Sequence, residues 1–581
     1  MTRQEMEHLV AVARGDALAD LVIANARIAD LGRGLFFEGN LAIAGDKIAG
    51  LGADYRGKEV YDAKGLYALP AFIDSHIHIE SSMLSPEEFA RVAVPHGTGS
   101  IVADPHEIVN VAGLRGLRYM QSAAARTALR VEFMLPSCVP ATPFEHSGAE
   151  LKASDMEDVL PGKDILGLAE MMNFPGVVNG DPEVLDKVLA ARVLGKPIDG
   201  HSPGLSGAAL CAYAAAGIMT DHECSTIEEM EERLRLGFYI LLRHGSACHD
   251  LERLLPAVTA ENARRCLLCS DDRQAATFLQ EGHVDDLLRR CVAFGIPPMT
   301  ALRMATLNAA EAYGLKDRGA LFPGRLADIV IVRDLQDFDV QEVWLGGQHV
   351  SSQGRYLLPI EKASADSVSS SVHLSGFSEE RLKLKLSSSK VRSIELLPGG
   401  VVTGEKIVDV KLLPDGDVDL SEAEDLVRLS VLERHHGLGT LSNGLLSNYG
   451  LKRGAVALTI SHDSHHLIVA GRDISEMAVA VRALEKMGGG CVLVLDGKVL
   501  SELPLPIAGL MSDQSAEKVA SQLEKMHQLA IRELGVSSEI DPLMSLCFMS
   551  LLVIPKLKLS DMGLFDAERF EFVDLEVEDE K

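Results

Sequence analysis

Eight apolar, β-type runs recur roughly every 20 to 35 residues through the middle of this chain, each ending on polar residues and followed by a segment of helical apolar spacing. They are the run that ends at His78, then SIVADPHE, VEFMLPSCVP, ILGLAEMMN, PIDGHSPG, GIMTDHE, YILLRHGS and CLLCSDD. Such alternation builds a parallel α/β sheet. A count of eight predicts closure into a (β/α)8 TIM barrel over an open, doubly wound sheet. The intervening segments SPEEFARVAVPHG and DPEVLDKVLAARVLG open on Ser or Asp in N-cap position and supply crossover helices.

The flanks differ in texture. LVIANARI, NLAIAGDKIAGL and LYALPAFID on one side, and GRLADIVIVRD with VQEVWLGGQHV on the other, are short strands broken by Gly, Asp and Lys. They are expected to pair as one small split β-sandwich-like domain, residues 1–69 with 324–360, around a barrel of 70–323. The Ser-rich stretch EKASADSVSSSVHLSG predicts a linker over 361–371 and a further C-terminal α+β domain over 372–581. Its acidic end, VDLEVEDEK, is expected to be solvated and locally disordered.

A net charge of −28 disfavours nucleic acid or an anionic membrane surface as partner. The N-terminal segment lacks the continuous apolar core of a secretory signal, and the apolar stretch Leu546 to Ile554 is too short for a membrane helix and reads as a core strand or helix. A cytoplasmic protein is expected. Nine cysteines without export signal argue against a disulfide framework, and the single CxxC, Cys266 and Cys269, has no zinc-finger partner.

Chemistry in a barrel of this kind collects at the C-terminal ends of the strands. Those ends carry His76 and His78, Glu170, His201, His222 and Asp271. His76 and His78, two apart on a strand, share a face and can grip one ion. Four imidazoles and two carboxylates exceed what one tetrahedral ion needs, so the inventory predicts two divalent ions bridged by Glu170. His76, His78 and Asp271 would hold one, His201 and His222 the other. Water held between such ions is a nucleophile at neutral pH, which makes the reaction class hydrolytic; the donor set suits Fe(II), Mn(II) or Zn(II). The HxE and PCxxC arrangement of nucleic-acid-editing deaminases does not occur.

The HxH of the first strand, single histidines ending the fifth and sixth, and Asp271 ending the eighth resemble the amidohydrolase superfamily. HIHIESSMLSPEEFARVAVPHGT, VADPHEIVNVAG, PSCVPATPFEHSGAE, LAEMMNFPGV, SDDR and, in the last third, ISHDSHHLIVAG and a Gly triplet resemble bacterial adenine deaminases. The resemblance implies hydrolysis of adenine to hypoxanthine and ammonia, with Mn(II) or Fe(II) ahead of Zn(II), in a homo-oligomer, a dimer or larger. It implies that hydroxide bridging the metals attacks C6 and that Asp271 takes up its proton and passes it to the amine. His106 or Glu107 would protonate the purine ring. Glu80, Ser81, Ser82, Asp104, Arg243, Ser246 and Asp272 are candidates for substrate contact. His244 departs from an acidic residue expected after the seventh strand. SHDSHH, after an apolar run, is expected to end a strand and line an interface or the barrel mouth. A cyclic amidase or other nucleobase deaminase on the same barrel, and a non-catalytic barrel scaffold, are the rival readings.

Overall fold

The computed structural model describes residues 1–577 apart from 247, 398–401 and 424. Eight parallel strands make the central barrel: β1 (Phe72–Ile77), β2 (Thr98–Ala103), β3 (Arg130–Leu135), β4 (Ile165–Met171), β5 (Ile198–Gly200), β6 (Thr220–Asp221), β7 (Tyr239–Arg243) and β8 (Cys266–Cys269). The expected alternation is met, but the hydrogen-bonded ladder runs in two pieces, β1 to β5 and β6 to β8. Strands β5 and β6 are too short to sustain a ladder between them. Their junction is carried by the Met219 amide, which donates to Ile198 O at 3.1 Å. The approach is close enough that a Cβ at Gly200 would run into the Thr220 carbonyl. The other seam closes through the Asp271 amide, which donates to His76 O at 3.0 Å, and through Asp74, whose Oδ1 accepts from the Ser270 amide at 3.1 Å.

Inward-facing Ile73, Val102, Met134, Ala169, Leu241 and Leu267 fill the barrel, and Ala309, Ala310 and Tyr313 plug its lower end. The polar residues beyond them along the strands are thereby raised to the upper mouth. Helix Pro182–Val193 starts as its sequence predicts, with the Asp181 side chain accepting from the Val184 amide. At Pro86–Ala93 the N-cap Ser85 makes no such bond. Between β3 and β4, and between β7 and β8, only one-turn helices stand among the described residues where longer crossovers are usual.

Strands on both sides of the barrel segment join a single nine-stranded sheet, in which Tyr67–Pro70 lies between Ala19–Asp30 and Ile329–Val332. Residues 390–504 form a separate eight-stranded sheet with helix Ile474–Met487 on one face. The segment that follows the sheet packs against the barrel: Arg91 meets both oxygens of Glu517 at 2.7 Å, and the Ser512 amide donates to Met83 O at 2.8 Å. The Leu546 to Ile554 run, expected as a core strand or helix, is buried through Leu552 and starts within a short helix, then continues as a 3-10 turn and an irregular segment that reach the barrel mouth. One expectation needs correction. The acidic end is ordered as far as Val577, because the Arg392 amide donates to Leu575 O and the Val577 amide to Lys390 O; 578–581 lie outside the described residues. Among the described residues no helix is long and apolar enough to cross a membrane.

Candidate metal centre and substrate cavity

All six strand-end residues converge on one point above the barrel, and all are buried. His76 Nε2 and His78 Nε2 lie 3.2 Å apart, and Asp271 Oδ1 is 3.5 and 3.2 Å from them. Glu170 reaches the other half: Oε2 lies 3.0 Å from His201 Nδ1 and 3.2 Å from His222 Nε2, while Oε1 is 3.5 Å from His78 Nε2. The period of two explains the HxH pair. Asp271 owes its aim to backbone φ of 56°, a left-handed conformation that Asp adopts more readily than most residues and that swings its carboxylate back over the histidines.

The electrostatics are those of a site built for positive charge. Burial opposes ionisation of Glu170, but His201 and His222 outweigh it and hold the carboxyl well below its ordinary range. Burial likewise opposes charge on Asp271, and His76, His78 and Arg243 overturn it. The imidazoles shift the opposite way: His78 and His222 stand well above the ordinary histidine value despite burial, raised by Asp271 and Glu170 respectively. His201 Nε2 is buried without a hydrogen-bond partner. Four imidazoles around two ionised carboxylates, with an orphaned ring nitrogen among them, fit a divalent metal centre, because a cation satisfies the lone pairs that protons otherwise must.

The cluster forms one wall of a cavity of about 360 Å³. His106, Glu107, Arg243 and Asp272 border it; Glu80, Ser81, Ser82, Asp104 and Ser246 do not. Asp104 instead accepts His78 Nδ1 on its backbone carbonyl at 2.9 Å, which orients that ring. Its carboxylate lies 3.3 Å from His106 Nδ1. Glu80 Oε1 accepts from the Ile108 amide, and burial with the neighbouring Glu107 charge pushes its carboxyl up to about 7. Ser81 donates to Asp272 Oδ1 at 2.5 Å. The Ser82 hydroxyl is used up on Ile79 O and the Leu84 amide, and that of Ser246 on Thr277 and the Gln274 amide. Both secure turns. His244 points out of the cavity lining, stacked on His249 with Nδ1 3.1 Å from Glu252.

Several cavity residues escaped the sequence reading. Glu223 lies 3.6 Å from His201 Nδ1 and 3.4 Å from His222 Nε2, and is paired with Arg243 at 2.5 Å. Strand alternation would turn it away from His222. Strand β6 has already ended at Asp221, however, whose Oδ1 takes the Glu223 amide at 2.8 Å and turns the chain inward. Arg243 also binds Asp271 Oδ2 at 2.9 Å, leaving Oδ1 to face the histidines.

The remaining wall comes from the C-terminal unit. Its Ser461–His466 turn does line the mouth, bringing His462 to 3.0 Å from Glu107 and Asp463 to 3.7 Å from His106, while Phe548, Leu551 and Val553 supply apolar surface. The turn is held by buried Arg434, whose guanidinium donates to the carbonyls of His465, Ser371, Thr459 and Ala508. Arg434→Leu would leave three buried carbonyls and the half-buried Ser371 carbonyl unmet, at about 1–3 kcal/mol for each buried one. We expect a loss of at least about 3 kcal/mol, read as a fall in Tm, and an unchanged Tm would show that the turn does not depend on this anchor.

Residues 67–350 match the amidohydrolase family model and residues 400–571 that of the adenine deaminase C-terminal domain. Adenine deaminase 2 of Desulfotalea psychrophila is 51% identical over 99% of this chain and 100% of its own length. The adenine deaminase of Ligilactobacillus salivarius is 48% identical with 100% of both chains covered, and that of Nitratidesulfovibrio vulgaris strain DP4 is 47% identical over 98% and 99%. Among solved structures, the β-aspartyl dipeptidase of Fervidobacterium islandicum AW-1 overlies 59% of this chain and 100% of its own, at 18% identity and a TM-score of 0.45, too remote a likeness to carry chemistry. Identity near one half over the full length of these relatives places the chain in the adenine deaminase family.

Proposed function

We propose that this chain is an adenine aminohydrolase that converts adenine and water to hypoxanthine and ammonia. The observation that carries the reading is the convergence of His76, His78, Glu170, His201, His222 and Asp271 on one buried point beside a cavity of about 360 Å³, in a chain of this family. These six residues would hold two divalent ions, Mn(II) or Fe(II) ahead of Zn(II). Bound there, the ions would lower the pKa of water so that it attacks at neutral pH.

The chain's own groups do the rest. Glu170 touches both halves of the cluster with separate oxygens and fixes their spacing. Asp271, kept ionised, takes a proton from the attacking water and passes it to the departing amine; Arg243 holds its second oxygen so that the first stays aimed inward. The purine ring also needs a proton as C6 is attacked, and His106 and Glu107, at the end of β2, border the side of the cavity that meets the C-terminal turn. Leu551 and Val553 exclude water from the opposite side. The reading carries with it a cytoplasmic enzyme that works as a homo-oligomer.

Metal-loaded protein is expected to release ammonia from adenine and none from cytosine, hydantoin or dihydroorotate. Turnover of one of those compounds without turnover of adenine would sink the proposal.

A further inference from the structure

The C-terminal turn closes on a barrel carboxylate with two imidazoles. His462 Nδ1 lies 3.0 Å from Glu107 Oε1, and His465 Nε2 lies 3.4 Å from Glu107 Oε2. Two histidines and a glutamate have the composition of a metal site. The hydrogen bonding of His465 argues otherwise. Its Nδ1 accepts from the Ser461 amide at 3.2 Å, so the ring proton sits on Nε2, aimed at Glu107, and no lone pair is left there for a cation. Burial keeps this ring neutral. Glu107 is therefore a carboxylate held by the Nδ1 of His462, while the N–H of His465 faces it at 3.4 Å without a hydrogen bond and the Ser81 hydroxyl is spent on Asp272.

A carboxylate that takes the Nδ1 proton of a histidine fixes the ring and favours its imidazolium form, in which Nε2–H is the outward donor. The His462 ring lies flat on Phe548, with centroids 4.7 Å apart and planes at 12°, and both residues line the cavity with Glu170 and Asp271. We propose that His462, supplied by the C-terminal unit, delivers the proton that the purine ring nitrogen beside C6 must accept, and that Glu107 is the positioning residue that orients it.

This inference rests on the adenine reading. As the water oxygen bonds to C6, one water proton passes to Asp271, and the C6–N1 π pair takes the Nε2 proton of His462. Asp271 then protonates the exocyclic amine, the C6–N bond breaks and ammonia leaves. The remaining hydroxyl proton returns to His462 as the carbonyl forms. Water has then given one hydrogen to ammonia and one to N1, and both side chains end as they began.

The test is His462→Gln in the full-length, metal-loaded enzyme. We expect kcat for adenine to fall at least about 100-fold, with metal content unchanged and KM changed little. The pH profile separates chemistry from mere packing. Burial disfavours charge on His462, but Glu107, Asp272 and Asp463 face it and raise it to about 9, while His465 beside it stays neutral. Wild-type kcat should therefore fall as pH rises through about 9, and the variant should lack that limb. Glu107→Gln, which removes the main anion facing His462, should move the limb to lower pH, and it carries the test alone if the first variant does not fold. A His462→Gln enzyme within fivefold of wild type, or a limb that neither substitution moves, overturns the proposal while the substrate reading stands. Wild-type protein that releases no ammonia from adenine overturns both.

Discussion

Asp271→Asn is expected to lower kcat for adenine by about 1,000- to 10,000-fold with the barrel still folded. The size follows from two roles removed by one atom change. The carboxylate faces His76 and His78 through Oδ1 and Arg243 through Oδ2, and it is the group placed to carry a proton from water to the amine. An amide keeps the shape and one oxygen but accepts no proton. Asn is also tolerated at the φ of 56° found there, so the fold is not the casualty. His201→Asn should be comparably damaging through loss of metal from its half of the cluster. Ammonia release measures the first effect, bound metal the second and far-ultraviolet circular dichroism the fold. Turnover within tenfold of wild type in either variant would contradict the site assignment.

Metal removal has the other large effect, and its proton balance is fixed in sign. In the metal-free fold His78 and His222 are held well above the ordinary histidine range, and His201 above it, by the carboxylates they face. They therefore hold their protons to higher pH than a free imidazole does. A cation binds only the neutral ring, so loading must expel those protons, and affinity must rise with pH until the raised values are passed. Chelation should abolish turnover, and readdition of Mn(II), Fe(II) or Zn(II) should restore it with proton release. Calorimetry in two buffers of different ionisation enthalpy counts the protons. Metal binding that releases none, or that tightens as pH falls, would show that these histidines are not the ligands.

What the sequence made legible was whatever obeys a period. The strands announced themselves by apolar runs at regular intervals, and His76, His78, Glu170, His201, His222 and Asp271 by their common place at strand ends. Residues that depend on a local turn did not follow. Glu223 faces the cluster because β6 stops two residues earlier, and Ser82 and Ser246 spend their hydroxyls on neighbouring turns. Least legible was the wall from the C-terminal unit. No spacing within SHDSHH tells that a turn more than 350 residues beyond Glu107 lies 3.0 Å from it. Its three histidines were the visible signal, and long-range packing alone assigned their partner. The Leu546 to Ile554 run was legible as buried, but apolar residues mark a core element and a cavity wall alike, so its place at the mouth was not.

The central claim is that the cluster at the barrel mouth deaminates adenine with divalent metal. Its most direct test is ammonia and hypoxanthine formed from adenine, measured against metal bound per chain as chelated protein is reloaded. One ammonia per hypoxanthine is expected, with an activity that climbs with bound metal and levels off at two ions per chain. Full loading with Mn(II), Fe(II) or Zn(II) and no ammonia from adenine would contradict it.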